Sequence, residues 1–232
     1  MKKVLSFSLW GNNPTYNIGA IKNAELAKQY YPDFECWFYI HSPTVPENTI
    51  EILKKFENVK LIFKNGDLNT CKPMCWRFES IDDPDVEIMM SRDTDTRILL
   101  REKLAVDEWL ESGKLFHIMR DHPDHYDLNY KINAGMFGTK KLIINSWLNI
   151  INNIKNIGKF TDQYFLNTHI YPIIKNECLV HTSFTIYSDE ITKSFPMPYD
   201  SEYRFVGEYV YSDESRSQNH INELIKSIKL KL

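Results

Sequence analysis

The sequence predicts one α/β domain with a mixed, mainly parallel central sheet flanked by helices. Two observations predict it. Short apolar runs alternate with stretches of helical spacing through the first half of the chain, which is the rhythm of parallel strands joined by helical crossovers. The 232 residues also contain no repeat, low-complexity segment or linker, and this length suffices for one large core.

The first half of the chain alternates strictly between the two kinds of element. Strands are predicted where apolar and aromatic residues are dense, at residues 4–10, 34–41, 59–64 and 86–91. Helices are predicted between them, at residues 20–31, 46–56 and 74–81. Pro32 ends the first of these helices, because proline cannot continue a helix.

The second half continues the alternation less regularly. Helices are predicted at residues 101–112, 141–154 and 162–171, and strands at residues 115–119, 133–138 and 177–181. Gly113 ends the first of these helices, and Pro172 is expected to end the last. Aromatic loop and a small terminal helix complete the chain.

Composition excludes several classes of protein. Aromatic residues make up 13% of the chain, which excludes general disorder. The net charge of -3 does not favour a nucleic-acid binder. No apolar run is long enough to span a bilayer, and the apolar start lacks a signal-peptide cleavage site. The basic C-terminal end is short, which favours a solvated helix over contact with a membrane surface.

The cysteines indicate a reducing compartment. Only two are close in sequence, and their spacing is not that of a zinc knuckle; the four are Cys36, Cys71, Cys75 and Cys178. We expect reduced and mostly buried thiols, and hence a cytoplasmic protein.

Asp93 and Asp95 stand one residue apart at the end of the predicted strand 86–91. In open α/β sheets, ligands bind beyond the carboxyl ends of the strands. Two close carboxylates repel each other unless a cation lies between them, and Mn²⁺ or Mg²⁺ takes such oxygen ligands while keeping positions for phosphates. The pair predicts a metal–diphosphate site; an exposed acidic turn is the alternative.

Three features follow the acidic pair in a fixed order. They are an Asn-Ala-Gly segment at 133–135, an Asp-Gln pair at 162–163 and a late histidine, His181. This order resembles that of the GT-A glycosyltransferases, and most closely that of the retaining family 8 enzymes. The stretches 92–97 and 116–123 are also similar to a set of bacterial and viral GT-A-like proteins.

The resemblance implies how a donor would be bound. Asp93 and Asp95 match the family's metal-binding pair, with Asp93 also near the nucleotide, and His181 matches the late third ligand. The metal is expected to be Mn²⁺ or Mg²⁺, bound with a nucleoside-diphosphate sugar, and a UDP-sugar is favoured over a GDP-sugar. The first strand opens the nucleotide pocket, so Ser8 and Trp10 are expected to contact the donor.

The resemblance also assigns residues around the transferred sugar. Asn133, Ala134 and Gly135 match the family's acceptor-side segment, where the amide suits sugar hydroxyls and glycine permits close backbone approach. Asp162 and Gln163 match its Asp-Gln pair beside the donor sugar. A strand entering a tight turn is the alternative for the first segment, and a helix N-cap is the alternative for the second.

Arginines surround these segments. Arg77 and Arg92 are predicted to contact the nucleotide or its diphosphate, because guanidinium binds phosphate in a bidentate way. Ion pairing with nearby carboxylates is the alternative for each. The stretch 120–125 is rich in acidic residues and histidine. If the reaction inverts the anomeric centre, Asp121 or His122 is the candidate base for the acceptor hydroxyl.

The sequence therefore predicts a metal-dependent glycosyltransferase that uses a hydroxyl acceptor such as a glycan. Residues 1–232 would form one domain, with a nucleotide-binding half at 1–97 and an acceptor half with a tail at 98–232. Two alternatives stay open: a sugar nucleotidyltransferase, and a non-catalytic binding module on the same fold. A haloacid-dehalogenase phosphatase is disfavoured, because Arg97 replaces the Thr or Val expected two residues after the pair.

Overall fold

A single eight-stranded sheet forms the centre of the computed structural model, which describes residues 1–69, 72–127, 130–140, 146–154, 158, 160–184, 187 and 189–231. Its strands are β1 (Lys2–Leu9), β2 (Glu35–His41), β3 (Val59–Lys64), β4 (Val86–Arg92), β5 (Phe116–Arg120), β6 (Met136–Lys140), β7 (Cys178–Thr182) and β8 (Thr192–Lys193). The strands predicted in the first half agree with these bounds to within two residues.

The strand order is β3-β2-β1-β4-β6-β5-β7-β8. Every neighbouring pair is parallel except those of β6, which runs antiparallel to β4 and β5. The predicted mixed, mainly parallel sheet is confirmed. From β1 the chain adds β2 and β3 on one side of the sheet, and β4 then lies on the other side of β1. Open α/β sheets bind ligands in the crevice at such a switch point, here between β1 and β4.

The helices are α1 (Pro14–Tyr30), α2 (Glu47–Leu53), α3 (Leu100–Glu111), α4 (Trp147–Asn153), α5 (Thr161–Phe165), α6 (Tyr171–Ile174) and α7 (Gln218–Lys229), and Pro73–Asp82 is a 3-10 helix. Helix α1 begins six residues before the predicted start at 20. The Asn13 side chain accepts from the Thr15 N–H, and Pro14 occupies the first turn. Asn13 and Pro14 therefore form the N-terminus of the helix, as N-cap and first helical residue.

Two predictions in the second half are wrong at their boundaries. Pro172 does not end a helix: a π-helical turn at Leu166–Ile170 separates α5 from α6, and Pro172 lies in the first turn of α6. Proline is tolerated there because its missing N–H has no partner to lose. Strand β6 begins at Met136, since the Met136 N–H closes a turn onto the Asn133 carbonyl at 2.9 Å. Residues 141–145 of the predicted helix 141–154 lie outside the described residues.

Hydrophobic clusters cover both faces of the sheet. One cluster contains Phe78, Phe137 and Trp147, and the other contains Phe7, Phe38 and Trp109. Because side chains alternate between faces along each strand, one sheet supplies both clusters. The faces are thus filled by the protein's own side chains, and the strand ends remain for ligands.

Cys36, Cys75 and Cys178 are free and buried, as predicted, whereas Cys71 lies outside the described residues. Across the described part of the chain, no helix combines the length and apolar character needed to cross a membrane.

Candidate active site

The acidic pair lies where β4 leaves the sheet, as the sequence predicted. A Cβ added to Gly135 would come within 1.8 Å of Asp93 Oδ2, so the 133–135 backbone lies directly against that carboxylate. The Asp95 carbonyl accepts from the Val210 N–H at 2.8 Å. The pair is thus enclosed by two segments that are distant from it in sequence.

The electrostatics of the pair suit a cation. Burial and the neighbouring Asp93 charge raise the pKa of Asp95 to about 7. Burial, followed by the charge of Asp95, also raises the pKa of Tyr16 to about 12. A divalent ion would relieve this excess of negative charge, and oxygen ligands are those that Mn²⁺ and Mg²⁺ accept.

Arg77 joins the acidic pair to Asp162. Its guanidinium donates from Nη1 to Asp93 Oδ1 and from Nη2 to Asp162 Oδ2, the latter at 2.7 Å, and its side chain is only 5% exposed. Burial raises the pKa of Asp162 above its usual value, although the Arg77 charge opposes the shift. One buried cation therefore lies between two carboxylates that the sequence separately assigned to the donor site.

Asp162 and Gln163 lie in the first turn of α5, where the helix dipole favours a carboxylate. Asp162 Oδ1 accepts from the Gln163 N–H at 2.8 Å, while Oδ2 faces Arg77. The N-cap alternative does not hold, because the cap position belongs to Phe160 and no side chain caps the helix. The Asp162 carboxylate is therefore directed towards the acidic pair.

A cavity of about 290 Å³ opens beside the end of β1. Its lining comprises both predicted donor contacts from the first strand and part of α1: Ser8, Leu9, Trp10, Gly11, Asn12, Asn13, Tyr16 and Thr94. Ser8 Oγ also accepts from the Arg77 N–H at 3.0 Å, which ties the cavity wall to the residue that bridges the carboxylates. The sequence carried no signal for Tyr16 or Thr94 as lining residues.

Two hydrogen bonds hold the segment 133–135 beside the site. Asn133 Nδ2 donates to the His125 carbonyl at 3.1 Å, and the Ala134 carbonyl accepts from Ser91 Oγ at 2.6 Å. These contacts hold the turn so that Gly135 lies against Asp93. The segment is a turn before β6 rather than part of the strand.

The structure differs from the sequence-based assignment of Arg92. This guanidinium is buried beneath the sheet, where Nε donates to Glu102 at 2.7 Å and Nη1 donates to the carbonyls of Ser91 and Phe137. The ion-pair alternative describes it better, because these donors are already engaged.

Asp121 also differs from its assignment as a base. It is fully buried; Arg101 Nε and Nη2 both donate to its carboxylate at 2.8 Å, and the Val206 N–H donates to Oδ2 at 2.9 Å. Tyr199 and Ser183 donate to Oδ1 as well. A fully buried carboxylate whose two oxygens are both engaged cannot reach an acceptor hydroxyl to act as its base.

His181 is held away from a ligand role by two contacts. Its Nδ1 lies 2.8 Å from His117 Nε2, and its Nε2 lies 3.1 Å from Glu108 Oε2. Burial lowers the pKa of His181, although Glu108 opposes the shift. Strands β6 and β5 also separate β7 from β4, and the ligand atoms of His181, Asp93 and Asp95 do not all lie within 4.8 Å of one another, so the structure does not bring His181 together with the acidic pair.

His122 lies in a cluster of potential metal ligands that does not include the acidic pair. With Asp124 and Glu223 it forms the one triad in the described residues whose potential metal-ligand atoms all lie within 4.8 Å of one another. Its Nδ1 already accepts from the Asp124 N–H at 3.1 Å, and its Nε2 lies 2.9 Å from the His220 carbonyl. Both ring nitrogens of His122 therefore have partners, which removes it from the acceptor-base role.

Solved structures share this fold. The chain is similar to an active-site variant of the galactosyltransferase LgtC, with a TM-score of 0.52 and 12% identity over 98% of this chain and 96% of that one. It is also similar to 4-diphosphocytidyl-2C-methyl-D-erythritol synthase from Anaerococcus prevotii, with a TM-score of 0.51 and 14% identity over 100% and 99% of the two chains.

A third similar structure is described as a glucose-1-phosphate thymidylyltransferase from Bacillus anthracis, with a TM-score of 0.51 and 10% identity over 79% and 87% of the two chains. No protein-family model and no curated protein sequence matches the chain. At these identities the likeness establishes the fold alone, and it confirms the predicted GT-A fold.

Proposed function

We propose that this chain is a metal-dependent glycosyltransferase that transfers a sugar from a nucleoside-diphosphate sugar to a hydroxyl acceptor such as a glycan. The observation that carries the proposal is that Asp93, the first member of the acidic pair, and Asp162 converge on Arg77 beside a cavity at the end of β1. Paired carboxylates and a buried arginine at one strand edge are what a charged diphosphate with its metal requires.

Asp93 and Asp95 would hold the cation, with Mn²⁺ or Mg²⁺ as the ions that suit their oxygens. When bound, the ion neutralises the diphosphate and polarises the bond to the leaving group. To act as the predicted third ligand, His181 would have to leave its contacts with Glu108 and His117 and also approach the pair, because the ligand atoms of Asp93, Asp95 and His181 do not all lie within 4.8 Å of one another. The ion-pair alternative also describes Arg77, because Asp93 and Asp162 engage both of its Nη atoms; we expect its charge to act by holding these two carboxylates in place around the donor.

The cavity lined by Ser8 and Trp10 would take the nucleoside. The indole ring of Trp10 can stack on a base. Ser8, which also lines the cavity, holds the Arg77 backbone by accepting from its N–H. Asp162 would accept from hydroxyls of the donor sugar, with Gln163 next to it, and Asn133 would face the acceptor side. A UDP-sugar remains the favoured donor over a GDP-sugar.

Retention of the anomeric configuration is the favoured stereochemistry. Inversion requires a base within reach of the acceptor hydroxyl, and Asp121 is buried with its oxygens engaged by Arg101, Tyr199 and Val206. In a retaining transfer the leaving phosphate oxygen can take the acceptor's proton on the same face.

A sugar nucleotidyltransferase is the second candidate. The likeness to the thymidylyltransferase and to the diphosphocytidyl-methylerythritol synthase is as close as that to LgtC. Such enzymes usually carry a Gly-rich, basic loop after the first strand, whereas this chain has Gly11-Asn12-Asn13-Pro14 there. The products distinguish the two: a nucleotidyltransferase joins a nucleoside triphosphate to a sugar phosphate and releases pyrophosphate.

Calorimetry with Mn²⁺ and a panel of UDP- and GDP-sugars tests the proposal. Wild type is expected to bind at least one nucleotide only when Mn²⁺ is present, and to hydrolyse or transfer its sugar. Asp95→Asn should abolish both effects, because it removes a charged ligand. Asp33→Asn is the matched control, since Asp33 is an exposed acid paired with Lys3.

Two results would contradict the proposal. One is that no nucleotide binds to wild type in the presence of Mn²⁺. The other is that Asp95→Asn binds and turns over like Asp33→Asn. Binding without any turnover would instead support a non-catalytic module.

A further inference from the structure

The turn at Gly11–Asn13 forms one wall of the cavity at the end of β1 and leads directly into α1. Gly11 has a φ of +77°, in the left-handed region that favours glycine. From one side the turn is held by Asn17, whose Nδ2 donates to the Gly11 carbonyl at 3.2 Å and to the Asn13 carbonyl at 2.9 Å. Helix α1 thus holds the turn from one side through Asn17, and the Gly11 N–H is held from the other side.

On that other side, a chain of three hydrogen bonds connects Gly11 to the end of β2 and the loop after β3. The Gly11 N–H donates to Thr44 Oγ1 at 2.8 Å, and Thr44 Oγ1 lies 2.8 Å from His41 Nδ1. His41 Nε2 in turn lies 2.9 Å from the Gly66 carbonyl.

With a neutral His41 ring, the chain of hydrogen bonds has one consistent direction. A carbonyl oxygen only accepts, so His41 Nε2 carries the hydrogen that Gly66 receives. His41 Nδ1 is then bare and accepts from the Thr44 hydroxyl, which leaves the Thr44 oxygen to accept from Gly11. His41 and Thr44 each accept one of these bonds and donate another, and removal of the Thr44 hydroxyl breaks two of the three bonds.

His41 and Thr44 are themselves held in place, so they can fix the position of Gly11. His41 is 3% exposed and stacks on Trp76, with ring centroids 6.0 Å apart, next to Arg77 in sequence. Thr44 is held by a turn in which its N–H donates to the His41 carbonyl at 3.1 Å. Neither Thr44 nor His41 is among the residues that line the cavity.

We propose that Thr44 and His41 are positioning residues for the donor nucleotide: they act through Gly11 to set the wall of the cavity and do not touch the ligand. The identity of that ligand rests on the proposed function. The chain of hydrogen bonds does not rest on the proposed function, because it can be observed in the protein without nucleotide.

Thr44→Val against Thr44→Ser is the decisive comparison. Valine keeps the shape and loses the hydroxyl, whereas serine keeps the hydroxyl. Loss of the hydrogen bonds that shape a binding wall should weaken binding of Mn²⁺–UDP about five- to tenfold. Thr44→Val should therefore raise Kd and KM by this factor and leave kcat unchanged, and Thr44→Ser should bind as wild type does.

Thr192→Val is the matched control, because Thr192 lies in β8 at the opposite edge of the sheet. Hydrogen exchange at the Gly11 amide in the nucleotide-free protein gives an independent measurement. We expect faster exchange in Thr44→Val and unchanged exchange in Thr44→Ser and Thr192→Val.

The outcomes separate the two proposals. Faster Gly11 exchange with weaker nucleotide binding supports the positioning role. Unchanged Gly11 exchange, or unchanged binding in Thr44→Val while wild type binds nucleotide, overturns it. A fall in kcat with unchanged KM also overturns it, and failure of wild type to bind any nucleotide overturns the proposed function instead.

Discussion

Arg77 shows how much of the candidate site depends on one side chain. Its guanidinium is desolvated, which is costly for a charge unless close partners compensate. Asp93 and Asp162 provide that compensation, and Ser6 and Ser8 hold the Arg77 main chain, with Ser6 Oγ donating to its carbonyl at 2.6 Å. The arginine thereby fixes the position of Asp93 relative to Asp162.

Binding of Mn²⁺ should be linked to the titration of Asp95. With no metal bound, burial and the Asp93 charge raise the pKa of this carboxyl to about 7. A carboxylate must be deprotonated to bind a metal, so below about pH 7 each bound ion displaces a proton. Affinity should fall by up to about tenfold for each pH unit below 7 and level off above it.

Calorimetry over a pH series, in buffers with different ionisation enthalpies, measures both the affinity and the released proton. Asp33→Asn should retain the full dependence. Affinity that stays constant as the pH falls from about 8 to about 6 would contradict the linkage.

Helix α1 holds the acidic loop in place. Asn23 Nδ2 donates to the Thr96 carbonyl at 2.8 Å, and Asn23 Oδ1 accepts from the Ile98 N–H at 3.1 Å. Gly19 lets the helix approach more closely than any other residue could, because an added Cβ would lie 1.8 Å from the Thr94 carbonyl oxygen. The helix therefore sets where Asp93 and Asp95 stand.

Gly19→Ala should separate this helix from the loop. Alanine in a helix interior normally stabilises by about 0.5–1 kcal/mol relative to glycine. Here the clash with the Thr94 backbone should dominate and lower the free energy of unfolding by about 1–3 kcal/mol, with weaker Mn²⁺ binding. Urea unfolding and calorimetry measure the two effects.

Gly158→Ala is the control for Gly19→Ala, because an added Cβ at Gly158 meets nothing within 4 Å. A Gly19→Ala protein that is as stable as the control and binds Mn²⁺ as tightly would show that α1 does not constrain the loop.

Across the whole molecule, buried histidines connect stability to pH. Burial, with smaller contributions from His122 and His220, lowers the pKa of His125 to about 3. Burial also lowers the pKa of His117 and of His181. The native protein keeps these rings neutral at pH values where the unfolded chain protonates them.

Acid should therefore destabilise the fold before most carboxylates titrate. The unfolded chain takes up protons near pH 6.5, so this contribution is complete above that pH and is lost as the pH falls towards 3. The loss is up to about 1.4 kcal/mol per pH unit for each ring. Asp95 acts in the opposite direction, since its raised pKa favours the native state as it protonates.

A comparison of wild type with His125→Gln isolates the histidine contribution. Urea unfolding at a series of pH values should give a shallower loss of stability with acid in the variant, whatever its stability near neutrality. Equal slopes in the two proteins would contradict the assignment to His125.

The sequence by itself determined the strands of the first half and the place of the acidic pair. Apolar pattern, β-propensity and the residues that end a strand are properties of near neighbours, so β3 and β4 were predicted almost to the residue. Because β4 ends at Arg92, Asp93 and Asp95 had to stand at the edge of the sheet. Asp162 was likewise placed at the start of a helix from its local sequence.

Only the tertiary structure decided what these residues contact. Arg77 meets Asp162 across 85 positions of chain, and Asp121 meets Val206 across 85 as well. The insertion of β6 between β4 and β5 brings Gly135 against Asp93. Such contacts follow from the packing of the whole chain, and no neighbour in sequence carries a signal for them. For that reason the sequence indicated which residues could act, and the fold decided that Arg77 joins Asp93 to Asp162. The fold likewise decided that Arg92 and Asp121 are buried and engaged by other partners.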